Sequence, residues 1–246
     1  MKTVIIIPAR FKSSRFPGKP LTPILGKPMI LWVAELCAQA LPIESVFIAT
    51  DDQRIKEVVE DAGFNVVMTS EEAMTGTDRV ADAAHQIDAD IYINVQGDEP
   101  LLDPNDILSI IDVKKKYPNE IINGYCKISD YEDPESVNIP KVVFNENNIM
   151  MYMSRQLVPG AKSKQLRPLV YFKQVCIYAF NKTELQAYVN FGRKGTLESY
   201  EDIEILRFLD IGTTIRVVET KKASLAVDVP EDVIRVEEEV IRKKES

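Results

Sequence analysis

The apolar residues of this chain fall into short blocks separated by amphipathic stretches. Residues 4–8, Val-Ile-Ile-Ile-Pro, form a continuous apolar run, as in a strand buried on both faces. The pattern then predicts a helix over 28–39, a strand over 45–50, and a helix over 52–62 ended by Gly63. A strand over 65–69, a helix over 77–87, a strand over 91–95 and a helix over 104–116 follow, the last stopped by Tyr117-Pro118. Such a β-α-β-α rhythm implies right-handed crossovers and a mostly parallel sheet.

Beyond residue 120 the rhythm changes. Strands are predicted over 120–127, 141–144 and 174–180, joined by irregular polar segments, with a mobile loop over 161–168. A helix over 197–208, a strand over 214–218 and a terminal helix over 231–244 complete the reading. The expectation is one α/β domain over 1–246, a mostly parallel Rossmann-like sheet with an inserted, more antiparallel lobe at about 120–215.

Composition narrows the class. The 246 residues are 45% hydrophobic and 28% charged, enough for one sizeable core. No apolar run reaches the roughly 18–20 residues of a membrane span, and the first apolar stretch is too short for a signal peptide. The expected setting is therefore cytoplasmic, without a membrane partner. Three scattered cysteines, Cys37, Cys126 and Cys176, form no framework and read as small buried hydrophobes. The single histidine, His85, reads as a helix residue and excludes sites that need two histidines.

A net charge of −8 disfavours nucleic acid as a partner. Its distribution says more. Residues 1–34 hold six basic side chains and no acid, whereas the rest carry 24 basic and 38 acidic groups. A cationic island on an acidic chain points to a bound anion.

Three segments carry candidate chemistry. After the first strand, residues 10–19 supply Arg10, Lys12, Arg15 and Lys19, two serines and Gly18, with prolines at 17 and 20. Ligands of open α/β sheets bind beyond such strand ends, and arginine and lysine hold phosphate oxygens. The loop is neither a Walker loop nor a GxGxxG turn; its alternative reading is a solvated basic loop. The second segment, Asn94-Val95-Gln96-Gly97-Asp98-Glu99-Pro100, leaves a buried strand over a glycine. In the third, an apolar run over 224–229 delivers Asp228 ahead of Pro230-Glu231-Asp232, a helix start. Asp98 and Asp228, ending separate strands, suit Mg²⁺ bridging protein and phosphates.

Seven motifs, in order, resemble the 3-deoxy-manno-octulosonate (Kdo) cytidylyltransferase family, the CMP-Kdo synthetases. They are Pro8-Ala9-Arg10, Ser13-Ser14-Arg15-Phe16-Pro17-Gly18-Lys19-Pro20, Gly26-Lys27-Pro28-Met29-Ile30, Ala49-Thr50-Asp51-Asp52, Gly76-Thr77-Asp78-Arg79, Asn94 to Pro100, and Val227-Asp228-Val229-Pro230-Glu231-Asp232. Met151-Tyr152-Met153-Ser154-Arg155 and Glu204-Ile205-Leu206-Arg207 resemble its middle region. The resemblance implies a nucleotidyltransferase fold, CTP and an acidic, Kdo-like acceptor as partners, Mg²⁺ as cofactor, and a homodimer. It also implies roles. Arg10, Arg15 and Lys19 would hold the triphosphate, and Asp98 and Asp228 the metal. Pro8, Ala9, Gly76, Thr77, Asp78 and Arg79 would border the cytidine. Gln96, Arg155, Gln174 and Glu204 would face the acceptor, Gln96 also touching the nucleotide side.

Departures gather on the acceptor side. The family's His-x-Gly-Ile-Tyr stands here as Gln174-Val175-Cys176-Ile177-Tyr178, and its Glu-Gln-Leu-Arg as Glu204-Ile205-Leu206-Arg207. The histidine that many members carry ahead of Ser-Gly-Thr stands as Ala73. Loss of an amide at 205 would leave a ligand hydroxyl unpaired, unless that position faces the core. The expected function is cytidylyl transfer to Kdo or an analogue such as 8-amino Kdo. Alternatives are another acidic acceptor, such as a small phosphonate, or a nucleotide-binding regulatory protein.

Overall fold

The apolar run at 4–8 is the middle of strand β1 (Thr3–Ala9), buried on both faces. In the computed structural model, which describes residues 1–12, 16–166, 168–221 and 225–245, β1 is followed by β2 (Pro23–Ile24), β3 (Lys27–Pro28), α1 (Met29–Ala40), β4 (Val46–Thr50), α2 (Gln53–Asp61), β5 (Asn65–Met68), α3 (Gly76–Gln86), β6 (Ile91–Val95) and α4 (Pro104–Lys116). The second half adds β7 (Ile121–Lys127), β8 (Lys141–Phe144), β9 (Met150–Ser154), β10 (Phe172–Phe180), α5 (Lys182–Asn190), α6 (Thr196–Glu201), α7 (Arg207–Ile211), β11 (Ile215–Glu219) and α8 (Asp232–Glu245).

The main sheet runs in the order β11-β7-β10-β6-β1-β4-β5, with β8 on β10 and β9 on β8. Strands β6, β1, β4 and β5 are parallel to one another, and β7 and β11 are parallel to each other. The antiparallel pairs are those of β10 with β6, β7 and β8, and of β8 with β9. Strands β7 and β10, within 120–215, thus extend the central sheet, and the β8–β9 hairpin branches from it. Along β1, Val4 and Ile6 enter one core while Ile5 and Ile7 enter the other. Alternate side chains of a strand face opposite ways, so burial of both faces requires the unbroken apolar run. Each such side chain stabilises the fold by about 1.5–3 kcal/mol. No helix among the described residues is long and apolar enough to cross a membrane.

Two expectations are corrected. The stretch 197–208 is not one helix: α6 ends at Asp202, which adopts a left-handed φ of 51°. A 3-10 turn (Glu204–Leu206) and α7 follow, and this break lets Ile203, Ile205 and Leu206 all enter the core. Asp228 does not end a strand, because residues 225–228 are irregular and Val227 is pinned by a single backbone bond to the Asp98 carbonyl (3.0 Å). Strand β9 and helix α5 were not expected. Within 161–168 the chain makes a 3-10 turn (Lys164–Leu166), and Arg167 lies outside the described residues.

Candidate active site

The order of the parallel strands places a crevice at one end of the sheet. The chain builds from β1 through β4 to β5 on one side, then returns to β6 on the other side of β1. Where strand order reverses in this way, the loops leaving the two central strands part. The loop after β1 carries Arg10, and the loop after β6 carries Gln96, Gly97 and Asp98. A side chain at 97 would stand 2.8 Å from the Pro8 carbonyl oxygen, so only glycine lets these loops touch. Gly18, at φ 72°, turns the basic loop back so that Lys19 faces the crevice.

One wall of the cleft is charged. It includes Arg10, Lys19, Asp98 and Asp228, and Pro8 and Ala9 also line the cleft. Lys19 Nζ donates to Asp98 Oδ2 at 2.6 Å and to the Val227 carbonyl at 2.9 Å. Asp228 is set by the start of α8: Asp232 Oδ2 accepts the N–H groups of Asp228 (2.9 Å) and Val229 (3.1 Å). Behind them Glu99 is buried, and burial together with Asp98 and Asp228 pushes its carboxyl well above the ordinary range. Arg15 lies outside the described residues.

The opposite wall is the amino end of α3. Thr75 and Asp78 form a capping box, leaving Thr75, Gly76 and Arg79 on the cleft. Arg79 is buried and bonds Asp51 Oδ2 (2.8 Å) and Thr69 Oγ1 (2.5 Å). Asp78 accepts from Thr75 and pairs with Arg207 at 2.8 Å, which leaves it inside the wall. Thr77 is buried, and its N–H donates to Glu204 Oε2 at 3.0 Å. Gln96 lines the cleft and donates to Glu204 Oε1 at 3.0 Å. Burial raises the Glu204 pKa, and the Thr77 and Thr75 hydrogen bonds act against it.

The structure therefore brings together Pro8, Ala9, Arg10, Lys19, Gly76, Arg79, Gln96, Asp98 and Asp228, and sets Thr77, Asp78 and Glu204 immediately behind them. It does not bring Arg155 or Gln174 onto this lining. The Arg155 guanidinium donates to the carbonyls of Glu201 (2.5 Å), Val137 (3.0 Å) and Asp202 (3.0 Å). Gln174 Nε2 donates to Tyr178 Oη at 2.9 Å, across a bulge in β10. Ile205 is fully buried in the core that also holds Tyr178 and Phe180 of β10, so position 205 faces the core and the expectation of an unpaired ligand hydroxyl there is corrected. Ala73 is on the cleft.

Residues that the sequence reading missed are Thr75, Tyr188 and Arg207. Thr75 was signalled by its spacing to Asp78, a capping-box pattern. Arg207 and Tyr188 gain their roles only from tertiary contacts, Arg207 lying 3.8 Å over the Tyr188 ring.

Among the described residues no group of three or more His, Cys, Asp or Glu side chains is placed to hold a metal. Asp98 and Asp228 offer oxygen donors only. That set fits a hard divalent cation whose remaining ligands are phosphates and water.

A family model described as cytidylyltransferase matches residues 4–217. An 8-amino-3,8-dideoxy-manno-octulosonate cytidylyltransferase of Shewanella baltica (strain OS155) is 40% identical over 244 residues, covering 97% of this chain and 98% of the relative. One of the same description from Shewanella sp. (strain W3-18-1) is 41% identical over 246 residues, with 97% and 98% covered. A solved structure of CMP:2-keto-3-deoxy-manno-octonic acid synthetase complexed with CTP superposes with a TM-score of 0.91 at 35% identity, covering 99% of this chain and all of that one. Fold, cleft and likeness agree: this chain belongs to the cytidylyltransferase family and is a nucleotidyltransferase.

Proposed function

We propose that the protein couples CTP to 8-amino-3,8-dideoxy-manno-octulosonate, giving the CMP-sugar and pyrophosphate. The observation that carries this reading is the convergence of Arg10, Lys19, Asp98 and Asp228 on one switch-point cleft. The description shared by the Shewanella relatives supports the amino sugar.

The acceptor hydroxyl attacks the α-phosphorus of CTP. A new P–O bond forms, the bond to the pyrophosphate leaving group breaks, and the hydroxyl proton leaves to solvent. Such a transfer needs in-line positioning and charge neutralisation rather than a protein nucleophile. Arg10 and Lys19 neutralise phosphate oxygens. Asp98 and Asp228 would hold Mg²⁺, which when bound supplies further positive charge to the phosphates. Lys19 must exchange its Asp98 contact for a phosphate oxygen as the nucleotide enters. The backbone of Pro8 and Ala9 and the amino end of α3 would border the base.

Pyrophosphate release with CTP and Mg²⁺ tests this reading across the 8-amino sugar, Kdo and small phosphonates. Turnover with the 8-amino sugar well above the others supports it. Turnover with phosphonates alone, or none with any acceptor, overturns it.

A further inference from the structure

The side-chain amide of Gln96 is fixed one way round. Its Nε2 donates to Glu204 Oε1 at 3.0 Å, while Glu204 Oε2 accepts the Thr77 N–H, so both oxygens of that carboxyl serve as acceptors. The carbonyl Oε1 of Gln96 is thus the atom left for a ligand in the cleft that Gln96 lines. Gly76 leaves room for this amide: a Cβ there would stand 3.1 Å from Nε2 and 3.2 Å from Oε1. Glu204 is itself held, because its Oε2 accepts the Thr77 N–H at the amino end of α3, where the helix dipole favours an anion.

The turn that carries Glu204 is bolted by its neighbour. Arg207 is fully buried and forks onto Glu198 at 2.7 and 2.8 Å. It also reaches Asp78 at 2.8 and 3.2 Å. Asp78 and Glu198 are the acids at the N-termini of α3 and α6, so one guanidinium joins both helix starts around the Glu204 turn.

We propose that Glu204 is a positioning residue: it orients Gln96 so that the cleft presents a carbonyl oxygen and selects a hydrogen-bond donor on the ligand, with Arg207 holding the Glu204 turn. This rests on the reading of the cleft as the CTP and acceptor site. Two ligand groups supply such a donor, the exocyclic amine of cytosine and an N–H or O–H of the sugar.

Glu204→Gln keeps the size of the side chain but lets residue 204 donate as well as accept, which frees Gln96 to rotate. Steady-state rates are compared for CTP against UTP, and for the 8-amino sugar at saturating CTP. If cytosine is the donor, the CTP preference falls by about tenfold or more and the acceptor KM holds. If the sugar is the donor, the acceptor KM rises by about tenfold or more and the CTP preference holds. Arg207→Lys, which keeps the charge and loses the fork, shows the same split more weakly. Both values within about twofold of wild type, or a uniform loss of kcat alone, overturn the proposal. Wild-type NMR provides a test that does not depend on the variant folding. The Gln96 amide protons, assigned by their loss in Gln96→Ala, exchange slowly if bound to Glu204, and exchange as fast as in an exposed glutamine overturns the proposal. Absence of pyrophosphate release in the wild type defeats the proposed function and leaves the NMR result standing.

Discussion

Lys19 and Asp98 pair at 2.6 Å on the charged wall of the switch-point cleft, joining the loop after β1 to the loop after β6. The same ammonium bonds the Val227 carbonyl at 2.9 Å, so one side chain ties together the three segments that carry the site's charges. Lys19→Ala is expected to lower kcat/KM by about 10²-fold or more, as for a lost charge donor to the transition state. Lys12 provides the control. It lies in the same loop but is 83% exposed and pairs with Glu71. Exposed pairs contribute little, so Lys12→Ala should change kcat/KM by about threefold at most. Equal damage from both would reduce the loop to a general cationic patch.

Asp228→Asn and Asp98→Asn are each expected to lower turnover by about 10²-fold and to raise the Mg²⁺ concentration needed for half-maximal rate. The measurement is a Mg²⁺ titration of pyrophosphate release at fixed CTP. Wild-type rates at low Mg²⁺ in either variant would remove that carboxylate from the proposed metal site.

Ile205→Gln separates packing from specificity. The residue is fully buried among apolar neighbours. An amide there loses apolar burial and finds few partners, at a cost of about 2–4 kcal/mol in urea unfolding. Acceptor preference in the folded variant should stay within about twofold of wild type. A stable variant with a changed acceptor preference would place residue 205 on the ligand.

Acid stability should depend on Glu201. Burial pushes its carboxyl up, but hydrogen bonds from the Arg155 N–H (2.8 Å), Ser154 Oγ (2.7 Å) and Tyr152 Oη (3.1 Å) outweigh this and leave its pKa lowered. A lowered folded pKa contributes stability above the unfolded value, about 4.3, and that stability is lost as pH falls through the folded value. Urea unfolding from pH 6 downward should therefore fall more steeply in wild type than in Glu201→Gln. Parallel curves would contradict this.

The parallel half of the fold was legible because strands buried on both faces carry continuous apolar runs, as residues 4–9 of β1, 46–49 of β4 and 91–93 of β6 do. Strand β9 escaped because Met150-Met151-Tyr152-Met153 lacks β-branched residues and its burial does not alternate cleanly. Helix α5 is polar, and its one local sign is the Asn181–Glu184 capping box. The break at Asp202 follows from packing on both sides of the turn, which no local pattern encodes. At the site, Arg10, Lys19, Asp98 and Asp228 were legible as charge motifs beside predicted strand ends. The placements of Arg155, Gln174 and Ile205 depend on which face each element turns to the core, and Arg207 acts only through partners far away in sequence.

The central claim is cytidylyl transfer to an amino sugar acid in this cleft. The most direct measurement is kcat/KM for 8-amino-3,8-dideoxy-manno-octulosonate and for Kdo, with CTP and Mg²⁺ saturating and the CMP-sugar identified by mass. A CMP-linked product is expected with the 8-amino sugar, at a kcat/KM at least about tenfold above that for Kdo. Equal or better use of Kdo, or CTP turnover without a CMP-sugar product, would contradict it.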